Sequence, residues 1–202
     1  MYTAVIVLRV LALIGPSTSG LMVRLYQAYR STGPVPAPPA VPAAEVRQGS
    51  RVPMVAWAVA GCLFVVALCL PLTIPRLTDT ALLVLAVAGV VLEAAGSAII
   101  LWARAALGAR WSLAPRASRA AGLVTLGPFA QVRHPVYLGV VVALAGIAAV
   151  FANWGALLAC LLLVVPALLW RAKVEEELLA DVFSEEYRLY RQRTKMLIPY
   201  LL

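Results

Sequence analysis

Hydrophobic residues in this chain gather into long runs separated by short polar segments, a pattern that predicts membrane-crossing helices. The first run, Thr3 to about Gln27, is broken near Gly15-Pro16-Ser17 and carries Arg9 and Arg24. A short apolar run ahead of small residues also fits a signal peptide, but Arg9 in mid-run and the lack of an Ala-x-Ala site favour a retained span. The second run, Val52 to Leu72, covers about 30 Å of hydrocarbon at ~1.5 Å per residue, and Pro71 and Pro75 end it. A third extends from Thr80 to about Leu107, with Asp79 as its expected N-cap. Val136 to Val150 and Gly155 to Trp170 are near the lower limit of ~17 residues for a span; joined through Phe151-Ala152-Asn153-Trp154, they predict a tight helical hairpin. Barrel strands would alternate in polarity, and runs such as Val55 to Leu70 do not. The expected fold is an all-α integral membrane protein with five transmembrane helices.

The intervening segments have a different grammar. Residues 31–51 are rich in Pro, Ala and Gly and read as an extended, mobile linker with no packed structure of its own. After Trp170, apolar Leu178, Leu179, Val182, Phe183, Tyr187 and Tyr190 recur at spacings of three and four. They lie opposite Glu176, Asp181, Glu185, Arg188 and Arg191, which predicts an amphipathic C-terminal helix beginning at Arg171 and ended by Pro199.

Composition supports the membrane reading: 63% of the 202 residues are hydrophobic. The net charge of +8 is unevenly distributed. Segments 30–51, 104–133 and 171–202 hold three, five and six Lys or Arg, whereas the other side of a five-span topology has Arg76. That bias predicts a cytoplasmic C-terminus and an N-terminus outside, so the charge reflects topology and attraction to membrane lipids, with no call for nucleic acid. Arginine far outnumbers lysine and alanine is abundant, a composition that suggests a high-GC bacterium and its inner membrane. Cys62, Cys69 and Cys160 lie in apolar runs without CxxC spacing and read as lipid-facing or core thiols, not metal ligands. Trp57, Trp102, Trp111 and Trp170 sit near span ends as interfacial anchors, as does Asn153-Trp154 in the hairpin turn. Gly89 and Gly96, seven apart, allow close helix approach. Glu93 stands in mid-span, where a carboxylate needs a partner such as Arg9, a polar cavity or a proton; a role in a substrate cavity is the functional reading.

Two polar clusters carry the chemistry. Gly127-Pro128-Phe129-Ala130-Gln131-Val132-Arg133-His134-Pro135-Val136-Tyr137 and Arg171-Ala172-Lys173-Val174-Glu175-Glu176 flank the uncharged residues 138–170. An apolar hairpin returns its two ends to one edge of the membrane, so the clusters should form a single cytoplasmic site. Arg171 and Glu175, four apart, share a helix face; taken alone, such a pair is also what a surface salt bridge looks like.

The segments Leu107-Gly108-Ala109-Arg110-Trp111-Ser112 and Gly122-Leu123-Val124-Thr125-Leu126-Gly127-Pro128-Phe129, running into Arg133-His134-Pro135-Val136-Tyr137-Leu138-Gly139, resemble the isoprenylcysteine carboxyl methyltransferase family, itself similar to the phospholipid N-methyltransferases. So does Arg171 through Glu175-Glu176, followed by Leu179, Phe183, Glu186-Tyr187, Tyr190 and Ile198-Pro199. The resemblance makes 108–202 the methyltransferase core, after a first span (1–30), the linker (31–51) and helices two and three (52–107). It implies S-adenosyl-L-methionine as donor, with S-adenosyl-L-homocysteine as product. By the same resemblance Gly122, Leu123, Val124, Phe129, His134, Pro135, Val136, Tyr137 and Glu175 form the cofactor shell, and Arg171 orients the substrate. The chain departs from the family in having Ala120-Ala121-Gly122 where a histidine is common just ahead of the Leu-Val block, Phe129 for tyrosine, and Ser184 for glycine. The expected substrate is a lipophilic small molecule or lipid entering from the bilayer, with a carboxylate acceptor on an isoprenoid-like or prenylcysteine-like compound preferred because it needs no base. A phospholipid or amine N-methyltransferase, a thiol S-methyltransferase and a non-catalytic scaffold or sensor are the alternatives.

Overall fold

The computed structural model describes residues 3–10, 12, 47, 48, 50–74, 77–111 and 116–197. Of the first predicted span, residues 3–10 are helical and most of the remainder lies outside the described residues. Five named helices follow: α1 (Val52–Cys69), α2 (Asp79–Leu107), α3 (Pro135–Val150), α4 (Trp154–Phe183) and α5 (Glu185–Arg193). α1, α2 and α4 are long and apolar enough to cross a membrane, and α3 is a shorter apolar helix. The protein is an all-α integral membrane protein.

Several boundaries differ from those the sequence predicts. Thr78, not Asp79, caps α2: its hydroxyl accepts a hydrogen bond from the Ala81 amide at 3.2 Å, while Asp79 occupies the first turn, where its charge complements the helix dipole. The polarity change at Trp170 is not a helix boundary. α4 continues through it, so Arg171 lies inside a helix whose apolar portion ends at Trp170 and whose polar end, 171–183, projects beyond. The amphipathic segment is instead divided at Ser184, whose φ of 45° and ψ of −108° turn the chain from α4 into α5; α5 ends at Arg193, well before Pro199. Nor is the linker wholly unpaired. Arg47–Gln48 (β1) pairs antiparallel with Arg116–Ala117 (β2), a backbone interaction that side-chain composition does not reveal.

Ser184 occupies backbone space that suits glycine, and its side chain makes no cap hydrogen bond. Ser184→Gly should therefore stabilise the protein by about 1 kcal/mol. An unchanged or lower thermal midpoint in detergent would show that the turn carries no such strain.

α2 and α3 approach through glycine. Gly89 faces Gly146, and Gly96 faces Gly139; a Cβ built on Gly96 would lie 2.5 Å from the Gly139 carbonyl oxygen, and one on Gly146 would lie 2.5 Å from the Glu93 amide nitrogen. The predicted close approach of Gly89 and Gly96 is thus realised, with its partner helix identified. Glu93 is buried beside this seam and accepts a hydrogen bond from Ser97 Oγ at 2.8 Å. The Arg9 guanidinium stacks over Phe151 at 5.3 Å, and no Arg9–Glu93 ion pair occurs among the described residues.

Asn153 does more than turn the hairpin. Its Oδ1 accepts from the Ala156 amide at 2.9 Å, capping α4, while its Nδ2 lies 3.1–3.2 Å from the carbonyls of Ala67, Leu68 and Leu70 at the end of α1. One buried side chain thereby satisfies backbone groups that two helix ends leave open. Further along α4, Cys160–Val164 form a π-helical turn just before Pro166, which has no amide hydrogen to continue the regular ladder. The main core joins Phe64 of α1, Tyr137 and Ile147 of α3, and Cys160, Val164 and Leu168 of α4. A second core of Leu178, Val182, Phe183, Tyr187 and Tyr190 sits at the polar end, as the amphipathic spacing requires.

Candidate active site

Proline sets the entry to α3. Pro135 occupies its first turn, where a missing amide hydrogen costs nothing, and holds His134 outside the helix at φ −122°, ψ 61°. The preceding loop is fastened to the segment after α5: the Arg133 amide donates to Lys195 O at 2.8 Å, and the His134 amide to Met196 O at 3.0 Å. The Arg133 guanidinium donates to Thr194 O and to Glu176 Oε1, the latter at 2.6 Å. Tyr190 OH donates to Phe129 O at 2.7 Å. Residues from opposite ends of the family-like segment are therefore locked into one unit.

The α3–α4 hairpin brings the two polar clusters together, as their spacing predicts. Arg171 Nε donates to Tyr137 OH at 2.7 Å and lies 3.3 Å from Glu175 Oε1; Tyr137 OH in turn donates to the same carboxylate oxygen. The arginine is only 6% exposed, and its guanidinium carbon sits 5.6 Å from the ring centres of both Tyr137 and Trp57. Trp57, read from sequence as an interfacial anchor, thus contributes to holding Arg171 from α1.

Consecutive helical residues point about 100° apart, so Glu175 and Glu176 address different neighbours. His134 lies between them: Nδ1 is 3.7 Å from Glu175 Oε2 and Nε2 is 3.4 Å from Glu176 Oε1. The second contact makes no aligned hydrogen bond. The imidazole also stacks on Tyr137, with ring centres 5.3 Å apart and planes 2° from parallel. Glu176 is buried, contrary to its predicted place on the polar outer face, because Arg133, His134 and Arg191 surround it. Burial alone would raise its pKa; His134 and Arg133 outweigh that and hold the carboxyl down to about 2.

These groups open onto a cleft of about 180 Å³. Phe129, His134, Pro135, Val136, Tyr137, Arg171 and Glu175 of the predicted site line it. Gly122, Leu123 and Val124 do not: Gly122 is exposed at φ +70°, and Leu123 packs against the second core. Sequence reasoning gave no site role to Leu107, Arg110, Trp111, Leu178 and Leu179, which complete the lining, or to Glu176 and Trp57 behind it. The Glu175-Glu176 doublet was the available signal for Glu176. For Trp57, more than a hundred residues from Arg171, sequence offers none.

The cleft is lined by charged and polar groups, among them Arg171, Glu175 and His134, and by apolar ones, among them Leu107, Leu178 and Leu179; Leu178 and Leu179 follow Glu175 by three and four residues on the same face of α4. It sits where apolar α4 becomes polar. Such a surface can hold a small zwitterion against the bilayer edge and admit an apolar tail. No curated protein matches the chain. The family described as phospholipid methyltransferase matches over residues 84–186, half of the chain, and this segment includes α3, most of α2 and every charged residue lining the cleft.

Proposed function

Since the chain belongs to this phospholipid methyltransferase family of membrane methyltransferases, we propose that it transfers the methyl group of S-adenosyl-L-methionine to a lipophilic acceptor drawn from the bilayer. The observation that carries the reading is the Arg171–Tyr137–Glu175–His134 cluster on a cleft that Leu107, Leu178 and Leu179 also line. Its donor set fits the cofactor: Glu175 offers a carboxylate to the cationic portion or a hydroxyl, His134 offers ring nitrogens, and Phe129, Pro135 and Val136 offer apolar surface for adenine. When bound, S-adenosyl-L-methionine would supply an electrophilic sulfonium methyl. The protein's part is to hold, orient and exclude water. Arg171 acts by fixing Glu175 and Tyr137 in place. Gly122, Leu123 and Val124 lie outside the cleft lining and take no part in this reading.

An acceptor that is already ionised suits this cleft, because the neighbouring carboxylates and His134 are tied to one another and to arginines. A lipophilic carboxylate, isoprenoid-like or prenylcysteine-like, is therefore the preferred acceptor. The family's description favours a second reading, methylation of a phospholipid amine. The excess of Lys and Arg on the segments bearing the cleft supports a cytoplasmic orientation at a bacterial inner membrane.

Calorimetric titration of the detergent-solubilised full chain with S-adenosyl-L-homocysteine tests the reading. Saturable binding is expected, with His134→Ala and Glu175→Gln each weakening it by about tenfold or more, as loss of a charge-assisted hydrogen bond of ~1.5–3 kcal/mol implies. Absence of binding to the wild-type chain would reject it.

A further inference from the structure

Three arginines line the cleft, Arg110, Arg133 and Arg171, and they differ in what they already hold. Arg171 is buried between two rings and donates to Tyr137 OH beside Glu175. Arg133 is committed to Glu176 and to the carbonyls of Thr194 and Arg191. Arg110 is exposed and makes no hydrogen bond or ion pair among the described residues. We propose that Arg110 binds the anionic oxygen headgroup, phosphate or carboxylate, of the lipid acceptor. The inference rests on the reading of this cleft as an acceptor site and assigns the residue that recognises the acceptor's charge.

The surroundings of Arg110 suit that task. It closes the short turn Gly108–Arg110 that follows α2, at the level where this apolar helix ends. The next residue, Trp111, is held by the Arg104 guanidinium, 4.5 Å above its ring, so the turn has a fixed base. Leu107 lies one turn back toward the membrane, and Leu178 and Leu179 face the same cleft. A ligand with its chain along the leucines would bring its headgroup to Arg110. A guanidinium matches a carboxylate or phosphate through two parallel hydrogen bonds, whereas a neutral headgroup gains nothing comparable.

Three amphiphiles with one C15 isoprenoid chain separate the contributions: the carboxylic acid, the monophosphate and the neutral alcohol. Binding to the full chain in nonionic detergent is measured by calorimetry, with S-adenosyl-L-homocysteine as the reference ligand. The wild type should bind at least one anion tenfold or more tighter than the alcohol. Arg110→Ala should abolish that preference while leaving alcohol and S-adenosyl-L-homocysteine affinities unchanged, and Arg110→Lys should restore part of it. Preference for the acid would assign a lipid carboxylate as the source, and preference for the phosphate a phosphorylated lipid. Retention of the anion preference in Arg110→Ala, or its absence from the wild type, overturns the proposal. Failure of S-adenosyl-L-homocysteine to bind the wild type would instead remove the methyltransferase reading of the cleft, an outcome read in a separate titration.

Discussion

Arg171→Ala should weaken S-adenosyl-L-homocysteine binding by at least about tenfold, nearly as much as Glu175→Gln. The guanidinium donates to Tyr137 OH and lies 3.3 Å from Glu175 Oε1, in a setting where the arginine is 6% exposed. Removing it leaves a half-buried carboxylate without its cation and frees the Tyr137 hydroxyl to rotate. Loss of a charge-assisted hydrogen bond of ~1.5–3 kcal/mol corresponds to a roughly 10- to 150-fold change in affinity. Because the groups form one network, the Arg171→Ala/Glu175→Gln double variant should lose much less than the product of the single losses. Arg171→Lys should recover part of the binding, since a point charge cannot reproduce a planar fork held between two rings. Calorimetry on the wild type and these four variants, with thermal midpoints measured alongside, makes the test. Unaltered cofactor affinity in Arg171→Ala, together with a tenfold loss of methyl transfer, would instead return Arg171 to direct contact with the acceptor.

Gly146→Ala should destabilise the protein by at least about 2 kcal/mol, although it adds a single methyl group. That methyl would meet the Glu93 amide nitrogen at 2.5 Å and the Gly89 carbonyl at 2.6 Å, both backbone atoms of α2 that have no rotamer with which to yield. The helices would have to separate, disturbing the seam beside Glu93 and the loop at whose end His134 sits. Gly89→Ala, which meets the Gly146 carbonyl at 2.6 Å, should be similarly harmful. The double variant should cost less than the two single costs together, because helices separated by one methyl have already made room for the other. Gly61→Ala on α1 is the control: among the described residues nothing lies within 4 Å of the added Cβ, and the better helix propensity of alanine should leave stability unchanged or raise it. Thermal unfolding in a single detergent compares all four. A Gly146→Ala midpoint equal to that of Gly61→Ala would show that α2 and α3 are not held by this contact.

The sequence by itself determined the features that depend on local composition and chain order. Apolar runs specified helices because a backbone without water must satisfy its own hydrogen bonds, and α1, α2 and the α3–α4 hairpin appear where those runs lie. The hairpin joins clusters at its two ends, so His134 and Tyr137 meet Arg171 and Glu175 as expected. The three- and four-residue spacing of Leu178, Val182, Phe183, Tyr187 and Tyr190 likewise specified one buried face. Tertiary structure decided which charges are spent and which remain available, because that depends on partners distant in the chain. Glu176, outwardly one more residue of a polar face, is drawn inward by Arg133 and His134. Trp57 comes from α1 to cover Arg171, and Asn153 joins the hairpin turn to the carbonyls ending α1. Gly122, Leu123 and Val124 belong to the matched motif by sequence, yet the chain's path places them outside the cleft lining. Arg110 and Arg171 have the same side chain and the same intrinsic chemistry; packing buries Arg171 among its partners and leaves Arg110 exposed on the cleft lining.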